Sequence, residues 1–548
     1  MANQRANLGI AALLVLTAAG MLPFANAPWA HRDDYASAAY ALIARNHVEF
    51  GLAATRGASV LNVDRTAPAE SPIYAHHPFL WPLVEAATFR LFGASELVTR
   101  LVCIATASAT IWLLFRLLRE QFSTRVGFFA AGLFAVSPAN LFTGRTNSLE
   151  QPANLFVVAS VLAYTRWRAQ RSGGRLLWLL AVLAIGMQIE WQIYYLAAIL
   201  PVHAVLSGRQ RDDWLAGAAM AATALAMFAL FLGHLWLADA AQFADLKNAF
   251  LFRSGLMSAP RQLSFAGTVT QFGPGEYIET LLRHAAHLMT LPFLLVAATG
   301  LLYCAAGMRN ARNRLSLVTP LLLIAPALLH SAIFSNAMFV HECMVILYLP
   351  GLASAAAVAI DRFLAATIAT NQAGRLARDR QQVAARRGLA ALGGWRLVGV
   401  VLFLVVYSML SLRRTAELYS HPNFDALIAG VEIGDVAGPH DNVLVLGIPY
   451  HPAVEWYAKR DVQFADRNPT GAARPDRAPT MVAVLDHVDD WLAAASQQAG
   501  DDFARQTRGL LGLVEQAQSR QKTDHLTLYR LSPSDQPPPG ESTRRLLQ

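Results

Sequence analysis

The sequence is poor in charged residues. Of its 548 residues, 15% are charged and 55% are hydrophobic, and the mean hydropathy is +0.34. These values lie outside the range of soluble globular proteins. The formal net charge of +8 therefore indicates basic loops beside a membrane rather than nucleic-acid binding. The composition excludes a wholly soluble protein and predicts a polytopic membrane protein.

Cysteine is scarce as well. Cys103, Cys304 and Cys343 lie far apart in apolar sequence, and no CxxC spacing occurs. A disulfide framework or a zinc site is usually marked by closely and regularly spaced cysteines. Neither is indicated here, and we expect the three cysteines to be small core residues.

Long apolar runs are abundant. A membrane-spanning helix needs about 20 apolar residues, and about eleven runs approach that length. They lie at about 8–27, 96–115, 126–143, 150–165, 176–190, 191–206, 214–237, 286–308, 315–335, 342–360 and 395–411. Ala25 and Ala27 also fit a signal-peptidase site. Whether or not the chain is cleaved there, the residues after the first run are expected on the outer side of the membrane.

The connections between the runs alternate in arginine content. Cytoplasmic loops carry an excess of Lys and Arg. The basic connections contain Arg116, Arg119, Arg125, Arg166, Arg168, Arg171, Arg175, Arg209, Arg211, Arg309, Arg312, Arg314, Arg375, Arg378, Arg380, Arg386 and Arg387. The alternate connections, among them TGRTNSLEQ and SNAMFVHE, are poorer in arginine. This alternation predicts a cytoplasmic N-terminus, with the first loop and the C-terminal segment on the outer side.

We therefore predict an all-α polytopic membrane domain over residues 1–411. Its first external loop, 28–95, should carry interfacial helices near 35–48 and 79–92, because those stretches are amphipathic but too short or too charged to span. Residues 412–535 alternate short β-rich runs, such as NVLVLGIP, TMVAVLDH and LTLYRL, with helical segments such as 488–518. They predict a small soluble α/β domain, and 536–548 read as a disordered tail.

The predicted outer side collects polar residues that are able to carry chemistry. These are Asp33, Asp34, His76, His77, Glu150, Glu190, His341 and Glu342. Each also has a structural interpretation: a solvated cap for the Asp pair, a favourable helix-dipole charge for Glu150, and interfacial or loop polarity for the others. Charges at membrane depth are costly, about 2.5–3.5 kcal/mol at the bilayer centre. We therefore expect these groups to reach the surface or to line a cavity.

Three segments resemble the first part of bacterial GT-C glycosyltransferases, the protein O-mannosyltransferase-like and aminoarabinose-transferase-like group that use polyprenyl-phosphate sugars. They are HRDDYASAAYALIARNH, YAHHPFLWPLVEAATFRLFGASELVTRLVCI and SPANLFTGRTNSLEQPANLFVVASVLAYTRW. In that family an acidic residue opens the first external loop, an arginine lies in the second span, and a second acidic residue lies in the next external loop. The resemblance covers about residues 5–170 well and the later spans loosely. It implies a GT-C fold of about eleven transmembrane helices.

The resemblance places Asp34 at the first acidic position, with Asp33 as its reserve, and Glu150 at the second. There are departures from the aminoarabinose branch. His76 and His77 stand where that branch has a Glu-Lys-Pro-Pro run, and Ser37 stands where it has an arginine. These differences argue against an aminoarabinose substrate and leave the wider fold intact.

The chemistry of such a transfer matches the residues. A sugar phosphate departs as a stable anion, so one carboxylate base is sufficient and inversion at the anomeric carbon is expected. The departing phosphate requires cationic or metal stabilisation. The candidates for this role are His76, His77, Arg56, Lys247, Arg253, Arg261 and His341. Asp33 and Glu150 are candidates to hold either a divalent cation, Mg²⁺ or Mn²⁺, or the acceptor, and the residues leave open whether a metal is used.

The leading hypothesis is a glycosyltransferase of the bacterial inner membrane acting on its outer face. The donor would be a polyprenyl-phosphate sugar and the acceptor a lipid, a polysaccharide or a protein; no nucleic-acid partner is expected. The alternative is a carrier or lipid-linked sugar flippase, which would require matching inverted halves and broken, charged mid-span segments. A third possibility is an inactive relative that binds glycans through its C-terminal segment.

Overall fold

The computed structural model describes residues 2–61, 68–71, 73–208, 210–256, 272–308, 314–376, 383–464, 479–499, 511, 514 and 517–531. Most of them are helical. The α-helices are α1 (Ala2–Met21), α2 (Asp34–Glu49), α3 (Gly51–Ala54), α4 (Leu80–Phe92), α5 (Glu96–Gln121), α6 (Thr124–Val136), α7 (Pro138–Thr143), α8 (Glu150–Ala169), α9 (Gly173–Met187), α10 (Gln192–Gly208), α11 (Arg211–Asp239), α12 (Gln242–Arg253), α13 (Pro274–Met289), α14 (Leu291–Gly307), α15 (Arg314–Ile333), α16 (Ser335–Val340), α17 (Leu349–Leu376), α18 (Val383–Tyr419), α19 (Asp425–Val436), α20 (Pro452–Ala458) and α21 (Val488–Ala499). The 3₁₀ helices are Pro68–Glu70 and Glu342–Tyr348, and the strands are β1 (Asn442–Leu446), β2 (Asp461–Phe464), β3 (Met481–Leu485), β4 (Ser519–Lys522) and β5 (Leu526–Arg530).

Several helices meet the requirements of membrane spans. Among the described residues six are long and apolar enough, or seven if α13 and α14, bent by 110° at their junction, form one broken span. Large apolar side chains on these helices are exposed, including Trp236 at 62%, Leu225 at 71% and Leu402 at 60%. Lipid solvates such side chains, whereas water does not. The chain is a multi-pass membrane protein, as the composition predicts, and the number eleven stays a prediction.

Two boundaries differ from the sequence prediction. The first helix ends at Met21 rather than near residue 27, because Pro23 lacks a backbone donor and Phe24 adopts a left-handed φ of 62°. The long connection predicted over 238–285 contains α12 and most of α13. These segments are amphipathic: their polar residues recur at helical spacing on one face. They therefore form helices but are not apolar enough to span a membrane.

The chain divides into two compact units. The first comprises residues 1–25, 101–230 and 273–420. Its helices pack through small residues, which let backbones approach closely. At Gly300 of α14, an added Cβ would lie 1.9 Å from the carbonyl oxygen of Ala355 in α17. Cys304 is buried in the same core, and Cys103 is buried as well.

The second unit comprises residues 26–100, 231–272 and 421–548, and it contains the sheet. The strand order is β2-β1-β3-β5-β4, with β1 parallel to β2 and β3, and β5 antiparallel to β3 and β4. Strand β1 is buried throughout, as expected of a central strand covered on both faces. The predicted β-rich runs correspond to β1, β3 and β5. Strands β2 and β4 were not predicted, because their sequences DVQF and SRQK lack an extended apolar pattern, and β4 is an exposed edge strand.

Helix α2 is central to the second unit. Ala38, Ala41 and Leu42 are buried in one cluster with side chains of the C-terminal segment, among them Ala453 and Trp456 of α20. The apolar face of this 16-residue helix therefore packs against protein, while its first residue, Asp34, comes directly after the loop that follows α1. The C-terminal segment and the first loop thus share one core.

Candidate active site

Asp34 is buried at the first turn of α2. Its Oδ2 atom accepts hydrogen bonds from the backbone N–H groups of Ala30, at 3.1 Å, and His31, at 2.9 Å. The His31 ring lies 3.5 Å from the same oxygen, and Asp34 is only 4% exposed. A carboxylate at this position also interacts favourably with the helix dipole. Asp34 is thus an enclosed group and not a solvated cap.

The counter-ion of Asp34 is Arg100, near the start of α5. Its Nη2 atom lies 3.3 Å from Oδ2 and 3.4 Å from Oδ1. Arg100 is 1% exposed, its guanidinium carbon lies 4.5 Å from the centroid of the Trp29 ring, and it donates to the carbonyl oxygens of Ala27 and Pro28. Buried charges persist in proteins when they are paired and hydrogen-bonded in this way. We call Asp34, Arg100 and Trp29 the carboxylate pocket.

Asp33 has a different environment from its neighbour. Its φ of 64° lies in the left-handed region, which Asp tolerates better than most residues do. It is half-buried, and its side chain makes no capping hydrogen bond to α2. The two adjacent carboxylates, which sequence reasoning ranked only by resemblance, are thus physically distinct.

A second polar group surrounds the histidine pair of the first loop. The Nε2 atom of His76 lies 3.1 Å from Oδ2 of Asp245 on α12. Arg253, at the end of α12, donates to Nε2 of His77 at 3.0 Å, to the Tyr74 hydroxyl at 3.3 Å and to Nδ1 of His76 at 3.4 Å. We call Tyr74, His76, His77, Asp245 and Arg253 the histidine cluster. The structure therefore brings three predicted residues together: His76, His77 and Arg253.

His76 is neutral in this cluster. The pKa of its imidazole is lowered to about 4, mainly by burial; the hydrogen bond to Asp245 acts in the opposite direction, and the positive charge of Arg253 contributes to the lowering. A neutral imidazole donates from one ring nitrogen and accepts at the other. Donation from Nε2 to Asp245 and acceptance at Nδ1 from Arg253 satisfy both positions.

Helix α2 connects the carboxylate pocket with the histidine cluster. Tyr74 packs with Ala39 and Ile43 of α2, and its ring centroid lies 4.5 Å from that of His76. Because an α-helix rises 1.5 Å per residue, the five residues from Asp34 to Ala39 correspond to about 7.5 Å along the axis. One rigid element therefore sets the spacing of the two polar groups.

The same helix explains the ALIARN pattern of the family resemblance. Arg45 donates to the carbonyl oxygens of Trp456, at 2.5 Å, and Glu455, at 3.2 Å. Asn46 donates to the carbonyl oxygens of Val60, at 3.0 Å, and Leu61, at 2.9 Å. Sequence reasoning gave neither residue a role. Arg45 anchors the C-terminal segment, and Asn46 anchors the middle of the first loop.

The two other cationic candidates of this unit have different surroundings. The Arg56 guanidinium donates to the carbonyl oxygens of Ala238, at 3.0 Å, and Ser71, and its own carbonyl accepts from Nε2 of His234 at 2.8 Å. These contacts position the loop around Arg56. Lys247 is exposed on α12, two residues from Asp245. The remaining candidate, Arg261, lies outside the described residues.

Glu150 lies in the other unit, at the first turn of α8. The preceding loop is polar yet buried: Arg145 is 3% exposed and Asn147 0%. Arg145 donates to the carbonyl oxygen of Pro23 at 2.6 Å, and Gln151 donates to Oδ1 of Asn140 at 3.1 Å. Such a density of buried polar side chains is expensive in a membrane protein. It marks the start of α8 as a functional candidate, although sequence reasoning singled out only Glu150 here.

His341 and Glu342 lie in the same unit as Glu150, where α16 gives way to the 3₁₀ helix. His341 is half-buried at the C-terminal end of α16. The carboxylate of Glu342 pairs with Nδ1 of His287 on α13. This pair was not predicted, because its members are 55 positions apart.

The residues proposed for a metal do not form a metal site within the described part of the chain. No group of three or more His, Cys, Asp or Glu side chains able to hold an ion occurs there. Asp33 and Glu150 belong to different units. His76 and Asp245 are a pair, which is fewer ligands than Mg²⁺ or Zn²⁺ usually takes from protein and water together.

Comparison with known families and structures adds to this geometry. Residues 76–237 match the family described as dolichyl-phosphate-mannose-protein mannosyltransferase. A comparison with curated proteins finds no match. By this match and by its fold, the chain is similar to GT-C glycosyltransferases.

The fold is that of three solved GT-C enzymes. ArnT from Cupriavidus metallidurans, solved with undecaprenyl phosphate, has 15% identity and a TM-score of 0.62, and the match covers 98% of this chain and 100% of ArnT. The Archaeoglobus fulgidus oligosaccharyltransferase, tethered to an acceptor peptide, has 14% identity and a TM-score of 0.58, over 96% and 74%. Mycobacterial arabinofuranosyltransferase AftD has 15% identity and a TM-score of 0.50, over 98% and 40%. The GT-C fold implied by the first-loop resemblance is confirmed.

Proposed function

We propose that this GT-C enzyme transfers a sugar from a polyprenyl-phosphate donor to a hydroxyl of an envelope lipid, polysaccharide or protein. The carboxylate pocket carries the proposal. A buried aspartate paired with a buried arginine, at the start of the first loop after α1, is costly to maintain and needs a functional reason. The undecaprenyl phosphate bound by ArnT supports a polyprenyl-phosphate donor.

In the proposed reaction the acceptor hydroxyl attacks the anomeric carbon from the face opposite the phosphate. Its proton passes to a carboxylate of the Asp33–Asp34 pair, the new glycosidic bond forms, and the bond between C1 and the phosphate oxygen breaks with its electrons remaining on the phosphate. Asp34 is the preferred base and Asp33 its alternative. Arg100 and two backbone N–H groups keep the Asp34 carboxylate in position for this role.

The negative charge on the departing phosphate is matched by the cationic side of the histidine cluster. Arg253 already contacts His77, His76 and Tyr74, so its guanidinium is held in one orientation. Lys247, Arg56 and His341 are secondary candidates for phosphate contact, and Glu150 is a candidate for binding the acceptor. None of these roles needs a proton donor for the leaving group.

The proposed topology has eleven spans. The N-terminus lies in the cytoplasm of a bacterial cell, the membrane domain covers 1–411, and the periplasmic segment 412–535 packs with the first loop through Arg45 and α20. The tail predicted over 536–548 lies outside the described residues. The alternation of arginine-rich connections supports this orientation.

The test compares Asp34→Asn with Asp33→Asn in a strain lacking the native gene. Mass spectrometry of envelope lipids, polysaccharides and proteins first identifies the glycan that disappears. Loss of the base lowers the rate by about 10²–10⁴-fold, so we expect Asp34→Asn to abolish that glycan and Asp33→Asn to retain part of it. The two variants must be present in the membrane at wild-type levels. An unchanged glycan with both positions substituted would refute the base assignment.

A further inference from the structure

A cavity of about 720 Å³ lies in the first unit, between α13, the start of α14, and α18. Arg283, His284 and His287 of α13 and Arg414 of α18 line it, together with the Glu342 carboxylate. Glu342 pairs with His287 and Arg414 bonds to Glu417 of its own helix, and Arg283 adds a further positive charge to the lining. Nothing in the proposed transfer uses this cavity.

Thr290, at the junction of α13 and α14, also lines the cavity and is held there at a cost. Its φ of 69° is unfavourable for a β-branched residue, and it is only 4% exposed. Its Oγ1 atom has no hydrogen-bond partner among the described residues, and it does not cap α14. A buried hydroxyl without a partner destabilises a fold unless a ligand supplies one. The N-terminus of the 17-residue α14 adds a positive dipole end beside it.

The surroundings of the cavity are amphipathic. Leu291 and Leu410 contribute apolar lining. Ile278 and Leu282, one turn apart on α13, are 58% and 61% exposed, and Leu295 on α14 is 62% exposed. A helix with one apolar and one charged face lies at a membrane interface. A ligand of this cavity would therefore have an anionic head beside a hydrocarbon region.

We propose that this cavity binds the phosphate head group of a membrane lipid. Arg283 and Arg414 contact the phosphate oxygens, the Thr290 hydroxyl donates to one of them, and the acyl chains lie along the apolar surfaces of α13 and α14. The inference does not depend on sugar transfer, because it concerns binding alone.

The experiment measures lipid binding to the purified full-length protein in detergent micelles by native mass spectrometry. The probes are dioleoyl phosphatidic acid, dioleoylglycerol, which lacks the phosphate, and inorganic phosphate, which lacks the chains. We expect phosphatidic acid to bind at least tenfold more tightly than either of the others. Equal binding of dioleoylglycerol would overturn the proposal, and equal binding of inorganic phosphate would overturn its lipid part in favour of a free-phosphate site.

Arg413 supplies a matched control for Arg414. Both arginines bond to Glu417 from the same helix, but only Arg414 lines the cavity. We expect Arg283→Gln and Arg414→Gln to weaken phosphatidic acid binding about tenfold, and Arg413→Gln to change it less than about twofold. If Arg413→Gln and Arg414→Gln weaken binding equally, the cavity assignment is wrong.

Thr290→Val and Thr290→Ser separate ligand binding from folding. Valine keeps the shape of threonine but removes the unpaired hydroxyl, so the melting temperature without lipid should rise while phosphatidic acid affinity falls. Serine keeps the hydroxyl, and its affinity should stay within about twofold of wild type. Unchanged affinity in Thr290→Val would show that the hydroxyl contacts no lipid phosphate and would overturn its assigned role.

Discussion

The carboxylate pocket and the histidine cluster both pair an aspartate with a nitrogen-containing side chain, but the two partners differ in charge. The pocket pairs a buried aspartate with a buried arginine, whereas the cluster pairs the half-buried Asp245 with a buried histidine; both lie in one compact unit, and α2 links them. In the pocket the partner is Arg100, which stays charged at every pH at which proteins fold. In the cluster the partner of Asp245 is His76, whose pKa is about 4 and whose ring is therefore uncharged at pH 7.

The two partners differ in what they contribute: the arginine fixes the orientation of a carboxylate, whereas the histidine makes its pairing depend on pH. A buried arginine–carboxylate pair keeps one geometry. Removing one partner strongly destabilises the fold, because the other charge is left buried without its counter-ion. A buried neutral histidine keeps its geometry only while the solution does not protonate it. We therefore expect the Asp34–Arg100 pair to be sensitive to substitution, and the histidine cluster to be sensitive to acid.

The largest effect is expected from Arg100→Leu. It leaves the Asp34 carboxylate buried without its cation, which costs about 3–5 kcal/mol of unfolding free energy. Thermal unfolding of the protein in detergent would measure the change. Arg90→Gln is the control, because Arg90 is exposed on α4 and its loss should cost less than about 0.5 kcal/mol.

A double substitution sharpens this result. Combining Arg100→Leu with Asp34→Asn removes both charges. The double variant should therefore lose much less unfolding free energy than the sum of the two single losses, while glycan transfer stays absent. Additive losses in the double variant would show that the two side chains are not coupled, and the pair would lose its place in the proposed site.

An intermediate effect is expected from acid. The folded pKa of His76 lies below its unfolded value of 6.5, so the unfolded state binds the proton first as pH falls. Stability from this group is therefore complete above pH 6.5 and is lost between pH 6.5 and about 4, by about 2 kcal/mol at pH 5. His47 and His451, both with pKa values lowered to about 4 mainly by burial, act in the same direction.

The measurement for this prediction is melting temperature against pH between 7 and 5. His76→Gln should flatten the decline, and His421→Gln, at an exposed position in the same unit, should leave the slope as in wild type. Identical slopes for His76→Gln and wild type would mean that His76 does not titrate as its burial requires.

The smallest effect is expected from Arg253→Gln, set against Lys247→Gln. Both cations lie on α12, but Arg253 makes three contacts in the histidine cluster and Lys247 is exposed. We expect transfer to fall about tenfold for Arg253→Gln and to change less than about twofold for Lys247→Gln. Equal losses would make general positive charge, rather than an oriented guanidinium, the requirement.

Much of the architecture follows from local patterns in the sequence. The apolar runs predict the membrane helices, and amphipathic stretches near 35–48 and 79–92 correspond to α2 and α4. The early end of α1 and strands β2 and β4 were missed, because short polar segments carry little periodic signal. The candidate site was reached through the family resemblance, which named Asp34 and the two histidines but not their partners.

By itself, the sequence determined that this chain lies in a membrane, that an aspartate pair opens its first loop, and that it resembles GT-C enzymes. Hydropathy and residue spacing are local properties, so a linear pattern carries them. Only the tertiary structure decided that Asp34 pairs with Arg100, 66 positions away, and His76 with Asp245, 169 positions away. Such pairings depend on how distant helices pack, and the energy of burying a charge is defined only once that packing exists.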